Sequence, residues 1–112
     1  MRTLQEAADA IDRALPLCEA VATQPDDREA RRLLSLALAP IADDSFLESF
    51  ERAPHALRGL SNFAHIQAML LRNCMERSDE PDHVISLMIV SKSRDQLALL
   101  LELRKAITRD SA

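Results

Sequence analysis

Four pairs of residues at helix-capping spacing divide this chain, and they constrain its fold more than anything else in it. Thr3 is followed by Glu6, Asp26 by Glu29, Ser45 by Glu48, and Ser93 by Gln96. In each pair the first side chain can accept a hydrogen bond from an orphan N–H at a helix start. The second can reach back to the capping residue's own N–H. One such pair means little, because these residue types are common. Four, each ahead of an apolar stretch repeating at three- and four-residue steps, predict an all-α chain.

The periodicity then assigns the helices. The first covers residues 4–22, with Leu4, Ala7, Ala8, Ile11, Leu15, Cys18 and Val21 on one face. Pro16 lies inside it and cannot donate to the carbonyl of Asp12, which predicts a kink or a split. Gln24-Pro25-Asp26-Asp27 is a connector. A second helix over 27–39 turns Ala30, Leu33, Leu34, Ala37 and Leu38 inward and ends near Pro40. Asp43-Asp44-Ser45 opens a short third helix carrying Phe46, Leu47 and Phe50. Pro54 suits the first turn of a fourth, where its missing N–H costs nothing. That helix runs to about Arg77 with Leu57, Leu60, Phe63, Ala64, Leu70, Leu71, Cys74 and Met75 as its apolar face. Gly59 weakens its opening and allows a break near Ser61-Asn62. Ser78-Asp79-Glu80-Pro81-Asp82 reads as a loop, with Pro81 placed to begin the next helix.

Two apolar segments follow, joined by residues 91–96, as one long helix or as two with a bend at the Ser93 cap. The β-branched run over 84–90 also allows a buried strand, which would have to pair with its own copy across a dimer axis. As helices, both segments are wider than they need to be. Leu97, Leu99, Leu100, Leu101, Leu103 and Ile107 cover an arc of roughly 200°, broken only by Arg104, where a surface helix needs a stripe of about 100°. Val84, Ile85, Leu87, Met88, Ile89 and Val90 leave only Ser86 to interrupt an apolar circumference.

Composition sharpens that excess. A chain of 112 residues makes one domain with a thin core, yet 47% of it is hydrophobic and it has a single glycine. Aromatic residues are 3%, with no Trp or Tyr, so aliphatic side chains must do the packing, which suits helices. The surplus is expected to be covered by a second copy or a partner. The candidate interface is Met69, Leu70, Val84, Leu87, Met88, Ile89, Leu97, Leu100, Leu101 and Arg104. Arg104, inside the leucine arc, is expected to be a buried charge with a carboxylate across an interface, because an unpaired buried charge is costly.

Other chemistries find less support. Net charge is −4 with both signs interspersed, so nucleic acid is not the expected ligand; Arg28, Arg31 and Arg32 read as a solvated helix face. A helix-turn-helix over residues 50–72 would place Gly59 near its turn but offer only Asn62, His65 and Gln67 as base readers. No stretch has the form of a secretory leader, and no apolar run approaches the roughly 20 residues a membrane helix needs, so a cytoplasmic protein with reduced Cys18 and Cys74 is expected. The cysteines and His55, His65 and His83 lack the close spacing of zinc ligands. His65 and Cys74 on one helix would stand about 13 Å apart, too far for a catalytic dyad. Neither metal nor other cofactor is expected.

Residues 4–21, with Ile11-Asp12-Arg13, resemble the opening helix of the small helical chorismate mutases. The basic residues which that family uses to hold substrate carboxylates have no counterpart over residues 20–24, so no catalytic residue is carried over.

These readings converge on a compact all-α bundle of four to six helices, dimeric through the C-terminal segments and part of the 57–75 helix. The expected function is a non-enzymatic regulator or adaptor that binds a protein through apolar helix surface, such as an anti-activator sequestering a transcription factor, or a secretion-type chaperone. The alternative is a small enzyme or ligand-binding bundle with a pocket between helices; a DNA-binding regulator is third.

Overall fold

The structure, a computed structural model, describes residues 3–77 and 82–111. Within them lie α1 (Leu4–Thr23), α2 (Arg28–Ala42), α3 (Asp44–Glu48), α4 (His55–Glu76) and α5 (His83–Ser111), and no strand. The run over 84–90 is therefore helical. The four long helices form an antiparallel bundle in which α1 packs on α2, α2 on α4, α4 on α5, and α5 closes against α1. Cross-links between helices show the directions. Arg72 of α4 donates to the carbonyl of Ser35, whereas His65, two turns earlier, pairs with that of Ile41. On the other side Arg104 meets Asp12 of α1, and Ser86, near the start of α5, donates to Asp26 just past the end of α1. The bundle measures 43 × 21 × 19 Å.

One core draws on every helix. Ile11, Leu34, Leu38, Ile41, Phe46, Leu71, Ile89, Leu100 and Leu103 are fully buried in it. α1 contributes chiefly small side chains, Ala7, Ala8, Ala10 and Ala14, which let α2 and α5 approach its backbone closely. At the α2–α4 turn, Phe46 and Phe50 stack at 5.1 Å and plug the end of the bundle.

The capping pairs hold up unevenly. Thr3 caps α1 as expected, accepting from Glu6 N–H at 3.1 Å and donating to its carboxylate. α2 is capped by Asp27 rather than Asp26, through Ala30 N–H. α3 is capped by Asp43 rather than Ser45, and the hydrogen bonds from Ser45 hold the Asp43 carboxyl below its ordinary pKa. The fourth pair caps nothing: Ser93 and Gln96 lie fully buried inside one unbroken α5, whose start is capped by Asp82. Residues 78–81, read as a loop with Pro81 opening the next helix, lie outside the described residues.

Neither proline nor glycine divides a helix. Pro16 and Pro40 sit inside α1 and α2, and α2 continues past Pro40 to Ala42. Pro16 is exposed and Pro40 half-buried, and the residue four positions before each, Asp12 or Leu36, is exposed, so the carbonyl left without a partner lies towards solvent. Pro54 stands just before α4 rather than within it. α4 runs unbroken through Gly59, Ser61 and Asn62, which leaves no turn for a helix-turn-helix; Ser61 Oγ donates to the Arg58 carbonyl.

Candidate partner-binding surface

The ten candidate interface residues divide by their position on α5 and α4. Ile89 and Leu100 are fully buried in the core and Leu97 packs half-buried against it, so these three support the fold instead of an outer surface. Val84, Leu87, Met88 and Leu101 lie exposed on the outer side of α5, and Met69 and Leu70 on that of α4. Arg104 is neither buried nor paired across an interface. Its Nε donates to Asp12 of the same chain at 2.9 Å and Nη1 to Thr108, with 30% of the arginine and 49% of the aspartate side chain exposed. A carboxylate on the neighbouring helix was within reach, so no second chain was needed to neutralise it.

α4 adds Phe63, which the periodicity had placed on its apolar face, and Ile66. Phe63 is 64% exposed, and Ile66 and Leu70 continue the same outward stripe at three- and four-residue steps. The inner face of α4 is instead Leu57, Ser61, Ala64, His65, Ala68, Leu71 and Met75. Three of these seven, Ser61, Ala64 and Ala68, are small, and α4 packs through this face against α2 and α5. A reading that assigns every large apolar side chain to the core is right for Leu57, Leu71 and Met75 and wrong for Phe63. The usable signal was the spacing 63, 66, 70, a complete stripe in its own right.

Between α4 and α5 these stripes border an open groove of about 360 Å³. Leu70, Cys74, Ile85 and Met88 form its apolar walls, and Asn73, Arg77 and Lys92 its polar edge. Among the described residues its charged lining is two cations, in a protein whose net charge is −4. Large apolar exposure of this kind ordinarily marks a contact surface.

A second concavity, about 390 Å³ between α2 and α4, is lined by Arg28, Arg31, Arg32 and Arg72. Its guanidiniums serve the protein's own acceptors. Arg32 grips Glu29 with two hydrogen bonds, lowering that carboxyl's pKa; Arg72 joins the Ser35 carbonyl to Glu76; Arg31 donates to the Pro25 carbonyl. This cleft reads as a braced helix pair.

The candidates for chemistry are scattered. His65 is buried with Nδ1 2.9 Å from the Ile41 carbonyl and Nε2 3.7 Å from exposed Asp44. Cys18 is buried in the core, which pushes its thiol up to about 12 and removes it as a nucleophile. Cys74 is half-buried at the α4–α5 groove. His65, Cys74 and Arg104 thus occupy three separate places and share no cavity. Among the described residues no three His, Cys, Asp or Glu side chains converge as a metal site, and no helix is long and apolar enough to cross a membrane. No family model, curated protein or solved structure matches this chain.

Proposed function

We propose that this protein is a non-enzymatic adaptor or regulator that works by binding another protein chain on the outer surface of α4 and α5. The observation that carries the reading is the band of exposed Phe63, Ile66, Leu70, Val84, Leu87 and Met88 over two adjacent helices of an otherwise closed bundle. The core is complete without these side chains, so the fold does not account for their being large and apolar. Methionines and leucines adapt to partners of varied shape. Sequestering a transcription factor as an anti-activator and escorting a secreted protein as a chaperone are two forms such a contact takes.

The test compares the wild type with Phe63→Glu and Leu87→Glu. Both substitutions are on the exposed band and should leave helicity and melting temperature near wild type. Light scattering and affinity capture from cells of the source should show a defined assembly, with itself or one partner, that each substitution weakens. A monomer retaining no partner, or an assembly indifferent to both substitutions, overturns the reading.

A further inference from the structure

The groove between α4 and α5 narrows what the partner is, and this step rests on the reading just given. We infer that its occupant is an amphipathic helix of a partner protein with acidic residues beside its apolar stripe.

Shape supplies the first argument. The groove is bounded by two antiparallel helices, the form in which an apolar stripe repeating at i, i+3/i+4 and i+7 is bound by other helix-recognising proteins. Phe63, Ile66 and Leu70 offer such a stripe along α4 over about two turns, roughly 10 Å. Ile85 and Met88 line the same groove from α5, one turn apart. An extended peptide would need an unpaired sheet edge to hold its backbone, and the described residues contain no strand.

Charge supplies the second. Arg77, just past the end of α4, and Lys92 of α5 border the groove, and neither is in an ion pair among the described residues. The described acids nearest to the groove along α5 are Asp82, which caps the helix start through Ile85 N–H, and Asp95, one turn past Lys92; neither lines the groove. A second copy of this chain seated symmetrically on the groove would bring its own Arg77 and Lys92 against these two cations, an arrangement with like charges facing each other. A helix with Glu or Asp flanking its leucines satisfies both cations and fills the apolar floor.

The test uses two synthetic helical peptides with identical leucine spacing, one flanked by Glu and one by Lys, binding to the full-length protein. Titration by fluorescence anisotropy at low salt should find the Glu-flanked peptide about tenfold tighter, the sum of two partly exposed charge contacts, with the gap shrinking in salt. The double variant Arg77→Gln/Lys92→Gln should erase most of that gap while still binding through the leucines. Bound peptide should also slow alkylation of Cys74, which borders the groove, whereas Cys18 stays unreactive throughout. Equal affinity for the two peptides, a preference untouched by the double variant, or unprotected Cys74 overturns the inference. If neither peptide binds, solution mass separates the two ideas. A dimer split by Leu87→Glu leaves the contact surface standing and assigns it to a second copy; a monomer sinks both.

Discussion

α1 and α5 lie side by side in the bundle, each with two helical neighbours, yet they distribute their side chains in opposite ways. α1 is apolar only where it is covered: Ala7, Ala8, Ala10, Ile11, Ala14, Cys18 and Val21 face in, and no large apolar side chain is exposed on it. Its irregularity, Pro16, is on the outside. α5 carries Val84, Leu87, Met88 and Leu101 on the outside and two polar residues, Ser93 and Gln96, completely buried on the inside. A helix that served only to close the bundle would have been patterned like α1. The difference is what the proposed contact surface rests on: the outer side of α5 carries large apolar side chains that the outer side of α1 does not.

The sharpest way to break that comparison uses two adjacent leucines. Leu100 is fully buried and Leu101 is exposed. Leu100→Ala should lower unfolding free energy by about 3 kcal/mol, from lost burial plus the cavity left behind. Leu101→Ala should change it by less than about 0.5 kcal/mol. Chemical denaturation of both variants checks this. A large loss at Leu101 would mean the outer side of α5 is packed after all, and the docking surface with it would fail.

That pair also marks how far the sequence could be read. The all-α class followed from periodicity that any helical packing must obey, and Thr3 capped where its spacing said it should. The excess of apolar surface on residues 84–107 was equally visible. What it could not supply was which arc of α5 the neighbours cover, since Leu97 to Leu101 offers apolar side chains in nearly every direction. Burial is set by where α1 and α4 lie, a tertiary fact. The same blindness put Phe63 among the core-facing residues of α4 and a cap at Ser93, because a polar residue at a plausible spacing looks alike at a helix start and in a helix core. Arg77 and Lys92 gave no local signal; only the antiparallel packing of α4 and α5 brings them to one groove.

Pro16 tests the α1 side of the comparison. Pro16→Ala should stabilise the protein by about 2 kcal/mol, below the ~3 kcal/mol typical of a helix interior because the carbonyl of Asp12 already faces water. Thermal unfolding should show a higher midpoint with unchanged assembly. A loss of stability would mean the proline shapes how α1 meets its neighbours.

Smaller again is the effect of the buried polar residues of α5. Among the described residues Ser93 Oγ and Gln96 Oε1 find no hydrogen-bond partner, while the Gln96 amide donates to the Ala64 carbonyl at 3.2 Å. Ser93→Ala and Gln96→Leu should each raise stability by about 1 kcal/mol, since removing an unsatisfied buried polar atom removes its desolvation penalty. If either lowers it, a bridging water holds the site and the inner side of α5 is better satisfied than its side chains show.

The least effect belongs to the Arg104–Asp12 ion pair, which joins the two helices. Arg104 and Asp12 meet in good geometry at 2.9 Å, but both remain open to water, so their attraction is weakened by solvent and opposed by the entropy of holding two side chains still. Arg104→Ala should therefore cost only about 0.5 kcal/mol, and most of that should vanish in molar salt. Asp12→Asn with Arg104→Ala completes a double-mutant cycle whose coupling isolates the pair from the bond to Thr108. A coupling of several kcal/mol would mean water is excluded from this pair in solution, as it would be if a second chain covered the α1–α5 seam. The contact surface would then extend round α5 to α1, and the contrast between the two helices would narrow to their inner faces alone.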